Sequence, residues 1–421
     1  MNLSRIIVFL SLLVGLLFAH WVIARDQPNR LDNELRKAQW QRDLSDFQHG
    51  LESRHIDLYN KVDVDTFQAA LQDILTAQPF PTDWQIALRL MRLTRKIGDG
   101  HTAISIRDWD IERYPLKFEK VSGQWRVTEV SKANTELLRA TLISIDGIAV
   151  QSIEDALSDV VQFVENRHSQ VVRIGTYMRI AEVLHGLGIT NFRNTAQFEF
   201  LTESGKAISL PLQALSESDF EQLDSIKIER TFPLIAKPRQ AEFDFLWFTQ
   251  IEGTTTTYIH FSGYPSYEDM TKFVEELVVS MTKNQSSDVI IDMRENGGGD
   301  LYVGLILAHG LNLVDGIDWL HGVNVLTGAN TFSAGASNAA LFRELLNARI
   351  VGMPTGSNPT GYQDMDEFSL HHSKLRVTYS KRLFRLQEAP TEGVIPDVLV
   401  LPKWSDYQQG IDTAITEILM Q

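Results

Sequence analysis

No cysteine occurs anywhere in the 421 residues. That excludes disulfide bracing, a thiolate nucleophile and cysteine metal sites, and with them lipidation of an N-terminal cysteine. Positive charge is scarce as well. Lys and Arg number 39 against 54 Asp and Glu, for a formal charge of −15 and a pI near 5.2. Binding to nucleic acid through a general basic surface is thereby excluded. No His-x-x-x-His spacing is present, and the adjacent His371-His372 read as strand residues whose rings face opposite sides. A metallohydrolase is disfavoured, and neither metal nor cofactor is expected.

What is present begins with an address. Arg5 supplies a positive start, Ile6 to Leu17 is almost uniformly apolar, and Val22-Ile23-Ala24 offers small or modest residues at −3 and −1 of a cleavage site. The pattern predicts export to the periplasm or cell envelope with cleavage after Ala24. The competing reading is an uncleaved membrane anchor, because residues 5–24 are long enough to cross a bilayer with only Ser11 and His20 as polar interruptions after Arg5. Length and a 43% hydrophobic composition call for two or three domains beyond it. We divide the chain into residues 1–24, a helical region 25–105, an α/β region 106–235 and a core domain 236–421.

In the helical region Trp40, Leu44, Phe47 and Leu51 keep the 3.6 period. Thr82-Asp83 caps a helix from Trp84 to Arg95. The region ends at Ile97-Gly-Asp-Gly-His-Thr102, where His101 reads on spacing alone as a turn histidine. The middle region mixes strands (Val127–Val130, Leu142–Ile145, Phe198–Leu201, Ala207–Leu210) with helices at Ile153–Val164 and Val172–Leu187. From Phe243 onward strands and helices alternate, which implies a mainly parallel sheet with functional groups at the carboxyl ends of its strands.

Two segments of that last domain stand out. Val289-Ile-Ile-Asp-Met293 reads as a strand buried on both faces, and it stops at Asn296-Gly-Gly-Gly299. Three consecutive glycines suggest a backbone that approaches something closely with its N–H groups free. Downstream, Asn330-Thr-Phe-Ser-Ala334 opens into a helical run. Ser333 is either a helix N-cap or a nucleophile at a helix N-terminus, where developing negative charge is favoured.

Together Asp292-Met-Arg-Glu-Asn-Gly-Gly-Gly299 and Thr331-Phe-Ser-Ala334 resemble the tail-specific (C-terminal-processing) serine peptidases. The Asp99-Gly-His-Thr102 segment resembles that family's non-lysine, tricorn-like branch. The resemblance implies a crotonase-like α/β core and peptide or polypeptide substrates. Ser333 would be the nucleophile and His101 the general base. The amides of Gly298 (or a neighbouring glycine) and Ala334 would form the oxyanion hole. A carboxylate should orient the histidine, with Glu392 the first choice because Glu392-Gly-Val-Ile-Pro-Asp397 is similar to a Gly-x-x-Pro-Asp segment near the family's C-terminal end, then Glu388 and Asp364. Leu142–Val150 resembles part of a PDZ-like domain, a type that binds peptides by strand addition; a plain α/β spacer is the alternative. The chain departs from the family in two places. Ser357 stands where the lysine-using members carry their base, leaving Lys374 and Lys381 as the nearest downstream lysines. Ala336 stands where many relatives carry an acid. A peptide-binding envelope protein without useful turnover is therefore the second functional expectation.

Overall fold

The computed structural model describes residues 30–229, 232–389 and 391–420; the export segment lies outside them. Among the described residues no helix is long and apolar enough to cross a membrane.

The core domain is built on a six-stranded sheet. Its order is Val398–Leu399, Arg349–Gly352, Val323–Thr327, Asp288–Asp292, Thr256–Phe261 and Leu246–Gln250, parallel throughout except for the last pair. Asp288–Asp292 is buried on both faces, as its unbroken apolar run requires. Val289 and Ile291 pack with Val325, Leu307 and Phe342, whereas Ile290 packs on the other side with Leu326, Val351 and Ala414. Each such fully buried side chain contributes about 1.5–3 kcal/mol. The parallel register, with Ile290 opposite Asn324 and Leu326 opposite Val351, brings three adjacent carboxyl ends side by side. The loops 293–300, 328–333 and 353–359 all leave from that edge, where ligands bind in open parallel sheets.

The N-terminal helices are Arg30–Arg54, Val64–Thr76 and Asp83–Ile97. The third starts at a capping box in which Thr82 and Gln85 satisfy each other's backbone, and stops at Gly98 with φ 77°. The chain then turns through His101 into a short strand, Ala103–Ser105, which pairs antiparallel with Arg376–Arg385, Ala103 opposite Thr378. One hydrophobic cluster unites Phe47, Leu90 and Ile104 with Phe198 of the middle region and Val377 of the C-terminal ribbon. The helical region, the middle region and the ribbon therefore share a core.

The middle region is a PDZ-like antiparallel sheet with main order Leu116–Val121, Gln124–Ser131, Thr141–Ile145, Thr195–Leu201 and Ala207–Gln213. The expected helices shift. They run Val150–Ser158, Arg167–Tyr177 and Ala181–Gly186, because Asn166 caps the amides of His168 and Ser169 and an Arg113–Ile180 bridge interrupts what reads as one continuous helix. Gly175 lies directly on the edge strand: a Cβ there would stand 2.7 Å from the Phe118 carbonyl oxygen. Helix and edge strand touch at that point. The C-terminal ribbon is longer than its apolar segments suggest, Thr360–Ser369 pairing with Arg376–Arg385. His371 and His372 lie in the turn between these strands, not in a strand.

Candidate active site

Ser333 sits where the strand Val323–Thr327 has given way to the helix Ala334–Leu346, with φ 53° and ψ −126°. For a residue with a Cβ this conformation costs on the order of 1–3 kcal/mol. Four contacts impose it. Phe332 N donates to the Asn296 carbonyl (2.9 Å), and Ser333 N donates to Ser357 Oγ (2.7 Å). Gly298 and Gly335 supply the other two by lacking side chains. A Cβ on Gly298, whose φ is 109°, would stand 2.6 Å from Ser333 Cβ; one on Gly335 would stand 2.6 Å from the Asn296 carbonyl oxygen. Asn296 is fully buried and is fixed by its Nδ2 donating to the Phe261 carbonyl (2.9 Å). The glycine loop and the serine turn thus hold each other, and the helix is left without a side-chain cap from Ser333.

The Ser333 hydroxyl faces His101, with Oγ 2.9 Å from Nε2. The histidine turn is anchored on both sides. Asp99 Oδ1 accepts from His101 N (2.9 Å) and Thr102 N (2.7 Å), and Thr378 Oγ1 donates to the His101 carbonyl (2.7 Å). The imidazole is 2% exposed and tilts against Phe332, ring centroids 5.3 Å apart. Burial pushes its pKa below the usual 6.5, against the opposing charges of Asp99 and Asp364 and the Tyr362 backbone. For Nε2 to accept the serine proton, the neutral ring must carry its hydrogen on Nδ1. The Tyr362 backbone favours the protonated ring, yet no acceptor among the described residues meets hydrogen-bond geometry at Nδ1.

The remaining expected groups separate. Glu392 is exposed and paired with Arg167 (2.9 Å), so it is not on the histidine; the offset from the Pro-Asp segment carries it to the surface. Glu388 is exposed. Asp364 comes closer. It occupies an irregularity in the ribbon at φ 59°, pairs with Arg382 (3.0 Å) and Lys381 (3.7 Å), and acts on His101 through its charge alone. Ala334 N lies at the helix start beside Ser333. The Gly298 amide is already committed to Asn296 Oδ1 (3.0 Å), which corrects its expected role as oxyanion donor. Gly298 instead gives Ser333 room. Among the described residues, no acceptor bonds the Gly297, Gly299 or Ala334 amide.

Lys374 is an exposed turn residue, and Lys381 is held by Asp364 and Asp366. Asp292 and Arg294 are structural, as expected. Arg294 chelates Asp292 (2.9 and 2.6 Å) and reaches Asp412, tying the glycine loop to the C-terminal helix. Burial pushes the Asp292 carboxyl up, but Arg294 and the Tyr258 hydroxyl outweigh it and hold the pKa at about 2. A cavity of ≈770 Å³ opens between Lys117–Val121, the helix Arg167–Tyr177 and the loops at Glu295 and Asn330. Its lining includes neither Ser333 nor His101.

No family model and no curated relative matches the chain. Solved structures do. Mature CPAF matches with a TM-score of 0.68 at 13% identity, over 92% of this chain and 96% of that one. Mature CPAF complexed with lactacystin matches with a TM-score of 0.67 at 12% identity, over 92% and 98%. The chain has the fold of mature CPAF. The likeness extends over nearly the whole length of both chains, so the shared fold takes in the helical region and the middle sheet along with the parallel core.

Sequence reasoning missed Ser357, Asp99 in its capping role, and His55, which bonds Asp99. An aspartate two residues before the histidine in a Gly-rich turn is a signal for a side-chain cap; His55 carries none. The packing around Ser333 yields a prediction. Gly298→Ala should lower any Ser333-dependent turnover by about 100-fold, since displacing an attacking group by about 1 Å costs that much. Ser357→Ala should do so more mildly, by releasing one restraint on the strained turn. Hydrolysis assays on folded variants, checked by circular dichroism, decide it; a fully active Gly298→Ala contradicts this packing.

Proposed function

We propose that the chain is an exported serine peptidase that cleaves peptide bonds through an acyl-enzyme. The observation that carries this reading is the 2.9 Å contact between Ser333 Oγ and His101 Nε2, on the fold of mature CPAF. As Oγ attacks the carbonyl carbon of a peptide, His101 takes its proton. The carbonyl oxygen becomes an oxyanion facing the Ala334 amide and an unbonded amide of the glycine loop, Gly297 or Gly299, donors of a kind worth about 10²–10³ in rate each. Collapse expels the amine, to which His101 returns the proton, and water then releases the acyl group by the reverse sequence.

Burial of His101 supports its role as base rather than opposing it. A depressed pKa keeps the imidazole neutral, hence able to accept a proton, at neutral pH. The lysines do not offer this: Lys374 and Lys381 are exposed, whereas a lysine base needs burial to lower its pKa. Export rests on the apolar, positively started segment 1–24. N-terminal sequencing of protein from the cell envelope should begin at Arg25, and recovery from the cytosol would contradict export.

Two substitutions test the chemistry. Ser333→Ala should abolish peptide hydrolysis with an unchanged circular dichroism spectrum. His101→Ala should cost about 10²–10⁴-fold, while Lys374→Ala and Lys381→Ala cost little. In the unsubstituted enzyme kcat/KM should rise with pH through a limb centred below 6.5, because the active form is the neutral ring and burial lowers its pKa. A limb centred above neutral pH, or loss of activity in a lysine variant, would contradict the histidine base.

A further inference from the structure

Behind the His101 turn lies a second pair of titratable groups that the proposed chemistry does not use. His55 and Asp99 are bonded through Nε2 and Oδ2 at 2.9 Å, with side chains 0% and 2% exposed. The donor is identifiable. Asp57 N donates to His55 Nδ1 (2.9 Å), so the ring carries its hydrogen on Nε2 and gives it to Asp99. Asp99 Oδ1 accepts three further bonds, from Ser380 Oγ (2.8 Å) and from the amides of His101 and Thr102. The segment that brings His55 in is itself pinned, Ile56 N donating to the Ser380 carbonyl (3.1 Å) and the Tyr362 hydroxyl to Asp57 (2.7 Å).

We propose, resting on the peptidase reading, that Asp99 and His55 are positioning residues for His101. The Asp99 carboxylate, locked by the His55 N–H, fixes the backbone of the base and supplies the negative charge that no carboxylate at Nδ1 supplies. The need for such a charge follows from the reaction, because His101 must become an imidazolium in a site that excludes water. A carboxylate hydrogen-bonded to a ring nitrogen meets that need in serine hydrolases generally. Here the described residues place none on Nδ1, and the buried acid adjoining the ring approaches from the backbone side.

The surrounding charges are consistent with this division of labour. His101 faces Asp99 from its own turn and Asp364 from the ribbon, and both favour its protonation against burial. Asp99 faces His55, Ser380 and Thr102; burial pushes its carboxyl up, but the hydrogen bonds these groups give it bring it below the ordinary carboxylate range. Glu165 also adjoins the turn, where a Cβ on Gly100 would meet Glu165 Cβ at 2.9 Å. Its side chain is deeply set, although part of the residue reaches solvent. Burial, with the Asp99 charge adding, raises its pKa to about 8 against the Asn358 amide and Lys61. Burial thus favours the protonated form of Glu165, whereas the hydrogen bonds on Asp99 favour its carboxylate.

The test follows the rate at which a fluorophosphonate probe modifies Ser333, in the full chain, against pH. Oγ bonds to phosphorus, fluoride leaves, and His101 takes the hydroxyl proton, so no substrate need be known. In Asp99→Asn the backbone acceptor remains and the charge is lost. The acid limb should move down by about one unit and the plateau fall by about 10–100-fold. His55→Leu should lose rate similarly, and His55→Gln, which keeps an N–H donor, should recover most of it. An Asp99→Asn protein with an unchanged limb and plateau, altered only in melting temperature, overturns the proposal. So does a His55→Gln protein as impaired as His55→Leu. Absence of any Ser333 labelling in the unsubstituted chain would instead remove the peptidase reading, and this one with it. A long-range ¹H–¹⁵N spectrum of the unsubstituted protein is independent of how the variants fold. His55 protonated on Nε2 is expected there, and a neutral ring protonated on Nδ1 overturns the proposal.

Discussion

Ser333 and His101 are 232 residues apart in the chain and 2.9 Å apart in space. The candidate site depends on keeping that separation closed. Neither residue's own element does so. The histidine turn is carried on a three-residue strand, too short to hold a position alone, and it is the pairing of Ala103–Ser105 with the C-terminal ribbon that sets its place. The bond from Thr378 to the His101 carbonyl and the shared cluster of Phe47, Ile104 and Val377 make this one packed unit. The serine is fixed from the other direction, by three parallel strands that end together and deliver Asn296, Ser333 and Ser357 to one edge.

The energetics of the two halves differ. On the serine side the difficulty is conformational: an unfavourable φ is held by the Asn296 carbonyl, the Ser357 hydroxyl and two glycines that leave space. On the histidine side it is electrostatic. A ring 2% exposed resists protonation, which suits a base waiting for a proton but penalises the state after it has accepted one. The nearby ionised Asp99, stabilised by its own hydrogen bonds, offsets part of that penalty. Placing a carboxylate there is itself costly, and four donors from three parts of the chain are arranged to meet the cost.

Much of this was legible in the residues. The apolar run before Asn296 and the small residues around Ser333 mark a buried parallel strand and a serine entering a helix, and both stand where the pattern puts them. His101 needed the resemblance, because a histidine in a glycine-rich turn has no distinguishing period. The failures have a common cause. Glu392 was chosen by its distance along the chain from Pro396-Asp397, and a few residues of loop suffice to turn it out to Arg167. The Gly298 amide was read as free because a triple glycine displays three, and which one a neighbouring Asn296 side chain occupies is decided by local geometry. His55 lies at the end of the first helix, and its partnership with Asp99 exists only once the helices have folded over the ribbon. The middle-region helices shifted because the Asn166 cap and the bridge at Ile180 override an apolar pattern that reads as continuous.

The most direct measurement is of the intermediate itself. Mixing the protein with an activated peptide ester, quenching within the first turnover and mapping the adduct by mass spectrometry should find the acyl group on Ser333. Its formation should slow by about 10²–10⁴-fold in His101→Ala and be retained in Lys381→Ala. An acyl group on any other residue, or hydrolysis that proceeds with no adduct in Ser333→Ala and unsubstituted protein alike, would contradict a serine–histidine site.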